Sequence, residues 1–244
     1  MKRILISILM LGTFVVSGYG QKKLEIHTGL SIPTGSFADN SYDNFLAGSG
    51  NAATGFNAGI KYFYHLRNVN HLSFTLGADI IQNGMSQNFK DQFQQSIDYS
   101  AGTPSGNYGM NVKVKYSNYI NIPVLAGYNY EYPINSKLAL FADACLGFNI
   151  ASVSDLTMTA VYSGSYQPSS QTVSMVFSTS NQFATQIGGG ILINNFSIGL
   201  HFNQLGSYDY NGKIKSPSGS DTDFKSTKGL NINTFTLAVG LRFN

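Results

Sequence analysis

The sequence predicts an all-β protein: an eight-stranded antiparallel up-and-down transmembrane β-barrel with long extracellular loops and short periplasmic turns. Three observations predict it. Apolar and polar residues alternate with period two in eight segments, as strands with one lipid face and one lumen face must. The connections between those segments alternate between short and long. The final segment, Thr234 to Asn244, alternates throughout and carries the aromatic Phe243 near its carboxyl end.

Residues 1–20 read as a secretory signal, with Lys2 and Arg3 as its positive end, Ile4 to Val16 as its apolar stretch and Gly18-Tyr19-Gly20 as a small-x-small cleavage site. The apolar stretch is too short to cross a membrane as a helix. The next residue is Gln21, not the cysteine that a lipid anchor would need. The barrel domain is then 21–244.

Strands are predicted at 23–33, 55–66, 71–82, 118–130, 138–151, 183–194, 196–205 and 231–243. In each, one parity is apolar: Leu24, Ile26, Leu30 and Ile32 in the first, Leu138 through Ile150 in the fifth, Phe235 through Phe243 in the last. The opposite parity carries Glu25, His27, Lys61, His65, Asp79, Asp143, His201 and Arg242, interspersed with glycines such as Gly59, Gly77, Gly127 and Gly199. One face therefore suits hydrocarbon, and the other is small and polar. An eight-stranded barrel has an interior that its own side chains fill, so the lumen charges must pair with one another. Glu25, Asp79 and Asp143 against Lys61 and Arg242 are the expected partners, with Arg242 facing Glu25 across the closing seam.

Connections Arg67–Asn70, Glu131–Lys137 and Asn194-Asn195 are short; 34–54, 83–117, 152–182 and 206–230 are long. Short periplasmic turns and long outer loops put both termini in the periplasm. Tyr62, Tyr64, Tyr128, Tyr130, Phe196 and Phe243 then form the periplasmic girdle, Trp being absent from the chain.

Two long connections continue the strand pattern. Even parity persists through Leu156, Met158, Ala160 and Tyr162, and odd parity through Val173, Met175 and Phe177. This predicts an outward hairpin with its tip near Gly164–Gln171, presenting apolar and hydroxyl side chains to the exterior. Tyr108, Met110, Val112, Val114 and Tyr116 extend the fourth strand in the same way. Phe89, Phe93 and Ile97 recur at helical spacing after a possible cap at Asn88. Here a loop packing its aromatics on neighbouring strands is preferred to a helix on the membrane or a partner. Segments 34–54 and 206–230 read as mobile surface loops, and Lys213, Lys215, Lys225 and Lys228 are candidates for lipopolysaccharide phosphates.

Composition excludes several classes. Removing Lys2 and Arg3 with the signal takes most of the formal charge of +3, so nucleic acid is not an expected partner. Mean hydropathy of −0.04 looks soluble, but barrels escape hydropathy because half of each strand is polar. Cys145 is the only cysteine, so no internal disulfide can form. There is no glycine-rich phosphate loop or metal-ligand spacing, so no cofactor, metal or catalytic residue is assigned.

Four segments together resemble the PorT-like outer-membrane β-barrel family of Bacteroidota. They are Gly29-Leu30-Ser31-Ile32-Pro33-Thr34-Gly35-Ser36-Phe37, the strand Tyr119-Ile120-Asn121-Ile122-Pro123 to Tyr128, the hairpin Phe183 to Phe202 with Gly188-Gly189-Gly190, and the closing glycine-x-arginine-phenylalanine. The resemblance implies an eight-stranded outer-membrane barrel, recognition of its last strand by the barrel-assembly machinery, and an envelope protein partner, since PorT itself belongs to a secretion apparatus. It implies no chemistry.

The reading is a non-enzymatic integral outer-membrane protein whose outer loops form a recognition surface or an envelope-complex interface, in contact with outer-membrane lipids and lipopolysaccharide. The alternatives are an outer-membrane lipid-modifying enzyme (acyl hydrolase or transferase), a small porin and a soluble lipocalin-like binding protein. His71 and Ser73 have the spacing of one strand face, but they sit at the periplasmic end, and Asp79 is too distant for a triad. His201, Asn203 and His27 face the lumen, where a satisfied interior histidine is the simpler reading.

Overall fold

The computed structural model describes residues 22–41, 45, 47–66, 69–101, 109–163, 169–216, 220–226 and 228–243. The segment read as a signal, 1–20, lies outside the described residues, as do Tyr108, Asn244 and 164–168 of the expected hairpin tip. The strands are β1 (Lys22–Thr34), β2 (Gly55–His65), β3 (Leu72–Gly84), β4 (Gly109–Lys115), β5 (Asn118–Pro133), β6 (Leu138–Val153), β7 (Leu156–Ser163), β8 (Ser169–Phe177), β9 (Ser180–Ile193), β10 (Phe196–Tyr208), β11 (Asn211–Lys215), β12 (Thr222–Lys225) and β13 (Leu230–Phe243). One helix, α1 (Gln87–Ala101), lies between β3 and β4.

Eight of these strands close an antiparallel barrel in the order β1-β13-β10-β9-β6-β5-β3-β2. They are the eight predicted segments, with ends displaced by three residues at most. Closure is by β1 on β13, where Leu24 pairs with Phe243, Glu25 with Arg242 and Ile32 with Phe235. The predicted apolar parity points outward on every barrel strand: Phe148 is 69% exposed, Ile187 60% and Leu146 59%. A lipocalin-like barrel would have turned this face inward. The inward apolar face of the lipocalin-like alternative is absent from these eight strands.

The other strands form a five-stranded antiparallel sheet, β12-β11-β8-β7-β4, beyond the barrel's outer end. Four wall strands reach it, and each reverses its facing on the way. Asn149, Ala151 and Val153 of β6 are buried inward, yet past Ser154-Asp155 the buried residue of β7 is Leu156. The same exchange occurs at Tyr116-Ser117 between β4 and β5, and at Ser178-Thr179 between β8 and β9. In β10 it occurs at Gly206, whose φ is +89° and where the register with β13 slips between Gln204 and Ser207. The reason is the solvent. Beside hydrocarbon the apolar side chains face out; beside water they must face in. The expectation that Leu156, Met158, Val173 and Met175 would face the exterior is thereby corrected.

Those inward residues continue the lumen core over the barrel mouth, where Phe89, Phe93, Tyr116, Phe177, Tyr210 and Phe224 join it. The helix is real, against the preferred loop reading, although its aromatics do pack inward as that reading held. Its cap is Ser86, whose hydroxyl accepts the Phe89 N–H at 3.3 Å, and not Asn88. The two segments read as mobile loops are also corrected. The described residues of 206–230 contribute β11 and β12, and in 34–54 Phe37 is fully buried and packs on Tyr119 at the mouth. Their Gly, Ser and Asn content reflects tight turns and backbone hydrogen bonds, such as Gly50 N–H to Ser36 O at 2.8 Å.

Candidate functional site

Alternation along β1, β2, β6, β10 and β13 aims their polar residues into a narrow lumen, where they meet in layers. At the short-turn end Arg242 donates from Nε to Glu25 Oε2 at 2.6 Å and from Nη1 to Glu131 Oε1 at 2.5 Å. Lys23 Nζ reaches Glu131 at 3.5 Å. The guanidinium lies 4.3 Å from the Phe63 ring centroid and 5.3 Å from that of Phe141, so flat apolar faces and two carboxylates replace its water. The Glu25–Arg242 pair was legible from the seam. Glu131, read as a turn residue, and the inward Phe63 and Phe141 were not, because a lumen aromatic on the polar parity gives no periodic signal.

Deeper in, Asp143 accepts from Lys61 Nζ at 3.1 Å and from Asn129 Nδ2 at 2.9 Å, and His201 Nε2 lies 2.8 Å from it. His27 Nε2 sits 2.7 Å from Asp79 Oδ1. Lumen glycines make room for these groups. A Cβ on Gly59 would come within 1.8 Å of Asp79 Oδ1, and one on Gly188 within 2.4 Å of His201. The free space between the two histidine clusters is about 20 Å³, enough for roughly one water molecule. Among the described residues no group of three or more His, Cys, Asp or Glu could hold a metal ion.

Above this lies an amide layer: Gln186 donates to Asn203 at 2.8 Å and Asn149 to Asn121 at 2.9 Å. The mouth is then sealed. Tyr119 Oη donates to Gly50 O at 2.5 Å and lies 2.7 Å from Tyr210 Oη, with Phe37 edge-on at 5.0 Å.

The weighed catalytic residues do not come together. His71 precedes β3 with a φ of +66° and is exposed against Tyr130. Ser73 faces the lumen, 3.4 Å from His65 Nδ1. The shared strand face expected for His71 and Ser73 fails because His71 lies in the turn. His27 and His201 line one small space, each turned to its own aspartate, and Asn203 bonds to Gln186.

What remains open to the outside is the cap sheet. Its inner face is apolar; its outer face carries Lys113, Lys115, Lys213, Lys215 and Lys225, all exposed, among Ser and Thr hydroxyls.

No protein-family model and no curated protein matches the chain. Among solved structures it is similar to Neisserial surface protein A, with a TM-score of 0.46 and 15% identity over 91% of this chain and 95% of that one. It is also similar to a major outer membrane protein from Thermus thermophilus, with a TM-score of 0.43 and 10% identity over 91% and 99%. A third is Ail, the attachment invasion locus protein of Yersinia pestis, with a TM-score of 0.39 and 16% identity over 92% and 99%. These likenesses concern the course of the chain and carry nothing about activity.

Proposed function

We propose that this chain is an integral outer-membrane barrel, exported by the signal at 1–20, that works without catalysis through its capped outer end as a recognition or envelope-complex interface. One observation carries the membrane reading: all eight barrel strands present their apolar side chains outward, a surface that water does not tolerate at this extent. The lumen supports a structural role for the barrel itself. Its charges are paired and the cavity between its histidine clusters is about 20 Å³, which opposes the porin reading.

The segments that resemble the PorT-like family fall in β1, β5, the β9–β10 hairpin and β13. That placement supports a PorT-like barrel of Bacteroidota, assembled by the barrel-assembly machinery through β13. The cap, with its broad polar face, supplies a surface for an envelope partner.

The deciding experiment is fractionation with heat-modifiable gel mobility. The protein should appear in the outer-membrane fraction and migrate differently before and after boiling; a soluble periplasmic protein without that shift would refute the reading. Liposomes containing it should retain a small entrapped solute, and leakage would restore the porin. Lipid acylation should be unchanged when His71, Ser73 and His201 are each replaced by alanine, and a change would restore the enzyme.

A further inference from the structure

The outer face of the cap sheet has a direction as well as a charge. The sheet continues four walls of the barrel, and its inner face shares one core with the lumen-top residues Tyr119, Val153 and Ile232. Its outer face therefore looks sideways, as the lipid-facing stripe does, but farther from the membrane. Thr157 lies seven residues past Ile150, an exposed member of that stripe. At about 3.3 Å per residue and a tilt of about 45°, that is roughly 16 Å outward along the membrane normal. Phospholipid headgroups end below such a height, whereas the sugars of an outer-leaflet glycolipid reach it.

The chemistry of the face suits those sugars. Lys215 pairs with Ser174, Ser174 with Thr157 and Thr157 with Lys115, so one row reads lysine, hydroxyl, hydroxyl, lysine. In the next row Thr172 pairs with Thr159 and Thr159 with Lys113. The hydroxyls lie 3.3 Å apart in the first row and 3.2 Å in the second. At about 4.8 Å per strand, Lys115 and Lys215 stand roughly 14 Å apart with the hydroxyl ladder between them. Exposed Asp221 precedes β12 at the edge of the face, and Asp223 stands among the lysines. It lies 4.0 Å from Lys213 with both side chains exposed, a pairing that solvent screens. Asp155 and Asp209 sit at the membrane-side margin, below the lysines.

We propose that this face binds the anionic saccharide of outer-leaflet glycolipids standing beside the barrel, with the lysines on its phosphate or carboxylate groups and the Ser and Thr hydroxyls on its sugar hydroxyls. The inference rests on the membrane reading. It gives the expected glycolipid contact a built face and adds Lys113, Lys115 and the hydroxyl rows to Lys213 and Lys215.

The test uses nanodiscs of phosphatidylethanolamine with and without purified lipopolysaccharide, loaded with the full mature chain or with the fourfold variant K113Q/K115Q/K213Q/K215Q. After mild detergent release, the lipopolysaccharide retained per protein is counted by native mass spectrometry. The variant should retain about tenfold less than the parent, and the exposed turn variant K137Q should retain as much as the parent. Dephosphorylated lipopolysaccharide should be retained poorly by both chains. Equal retention by parent and fourfold variant overturns the proposal. So does tight binding of soluble dextran sulfate with no retention of lipopolysaccharide, which would assign the face to a free polyanion. The heat-dependent gel shift is read on the same samples: its loss in the parent refutes the membrane barrel itself, and its presence in the variant shows that the barrel has folded.

Discussion

Asp143 holds Lys61 at 3.1 Å and His201 at 2.8 Å in the middle of the lumen, with Asn129 occupying its other oxygen. Removing the carboxylate would leave a buried ammonium with no counter-ion, a loss of about 3–5 kcal/mol. Asp143→Ala should therefore lower the temperature at which the folded band converts to the unfolded one on gels. Lys61→Met combined with Asp143→Leu should recover most of that loss, since an apolar replacement removes both desolvation costs at once. No recovery would mean that the pair contributes more than mutual neutralisation. The sequence made this network partly legible. The charges stood on one parity, and the seam dictated Glu25 with Arg242. The sharing of Asp143 between Lys61 and His201 was not legible, because it depends on reach across the lumen between β2, β6 and β10.

At the scale of elements, the reversal of facing sets where the membrane wall ends. Gly206 carries it in β10 with a φ of +89°, and a Cβ there would meet the Gln182 Cβ at 2.4 Å. Gly206→Ala should cost about 1–3 kcal/mol through backbone strain and that clash, read by urea unfolding of the lipid-reconstituted protein. A neutral result would show that β10 can turn without glycine. Helix α1 is the other test. Phe89 is fully buried and stacks near Phe45, Phe93 and Tyr116. Phe89→Ala should cost about 3–5 kcal/mol of cap packing, expose Lys90 to trypsin in intact cells and leave the heat-dependent gel shift in place. Loss of the shift would mean that cap and barrel fold as one unit. The helix was visible in the sequence only as Phe89, Phe93 and Ile97. That spacing is shared by any loop that tucks in aromatics, so tertiary packing had to decide it.

At the scale of the whole molecule, the core that runs from the lumen top into the cap buries the phenols of Tyr119 and Tyr210. Burial raises the Tyr210 phenol well above its ordinary 10.0. This phenol keeps its proton in the folded cap while an unfolded cap ionises near its ordinary value. Its contribution to cap stability is therefore complete below about pH 10 and is lost as pH rises through that value toward the folded one. Tyrosinate absorbance should appear together with trypsin cleavage at Lys213 and Lys215 on alkaline titration. Tyr210→Phe should weaken the dependence; an unchanged profile would place the sensitivity elsewhere.

The sequence by itself determined the barrel: strand number, closure of β1 on β13, which face meets lipid and which end carries the short turns. Period-two alternation and loop length are local properties, and a barrel wall requires nothing more to specify its register and its sides. Only the tertiary structure decided what the long connections do. Whether Leu156 or Thr157 faces out depends on whether lipid or water stands beside the strand and on where β10 kinks at Gly206. That depends on contacts between segments far apart in the chain, such as Tyr119 with Tyr210 and Gly50, which no local pattern encodes.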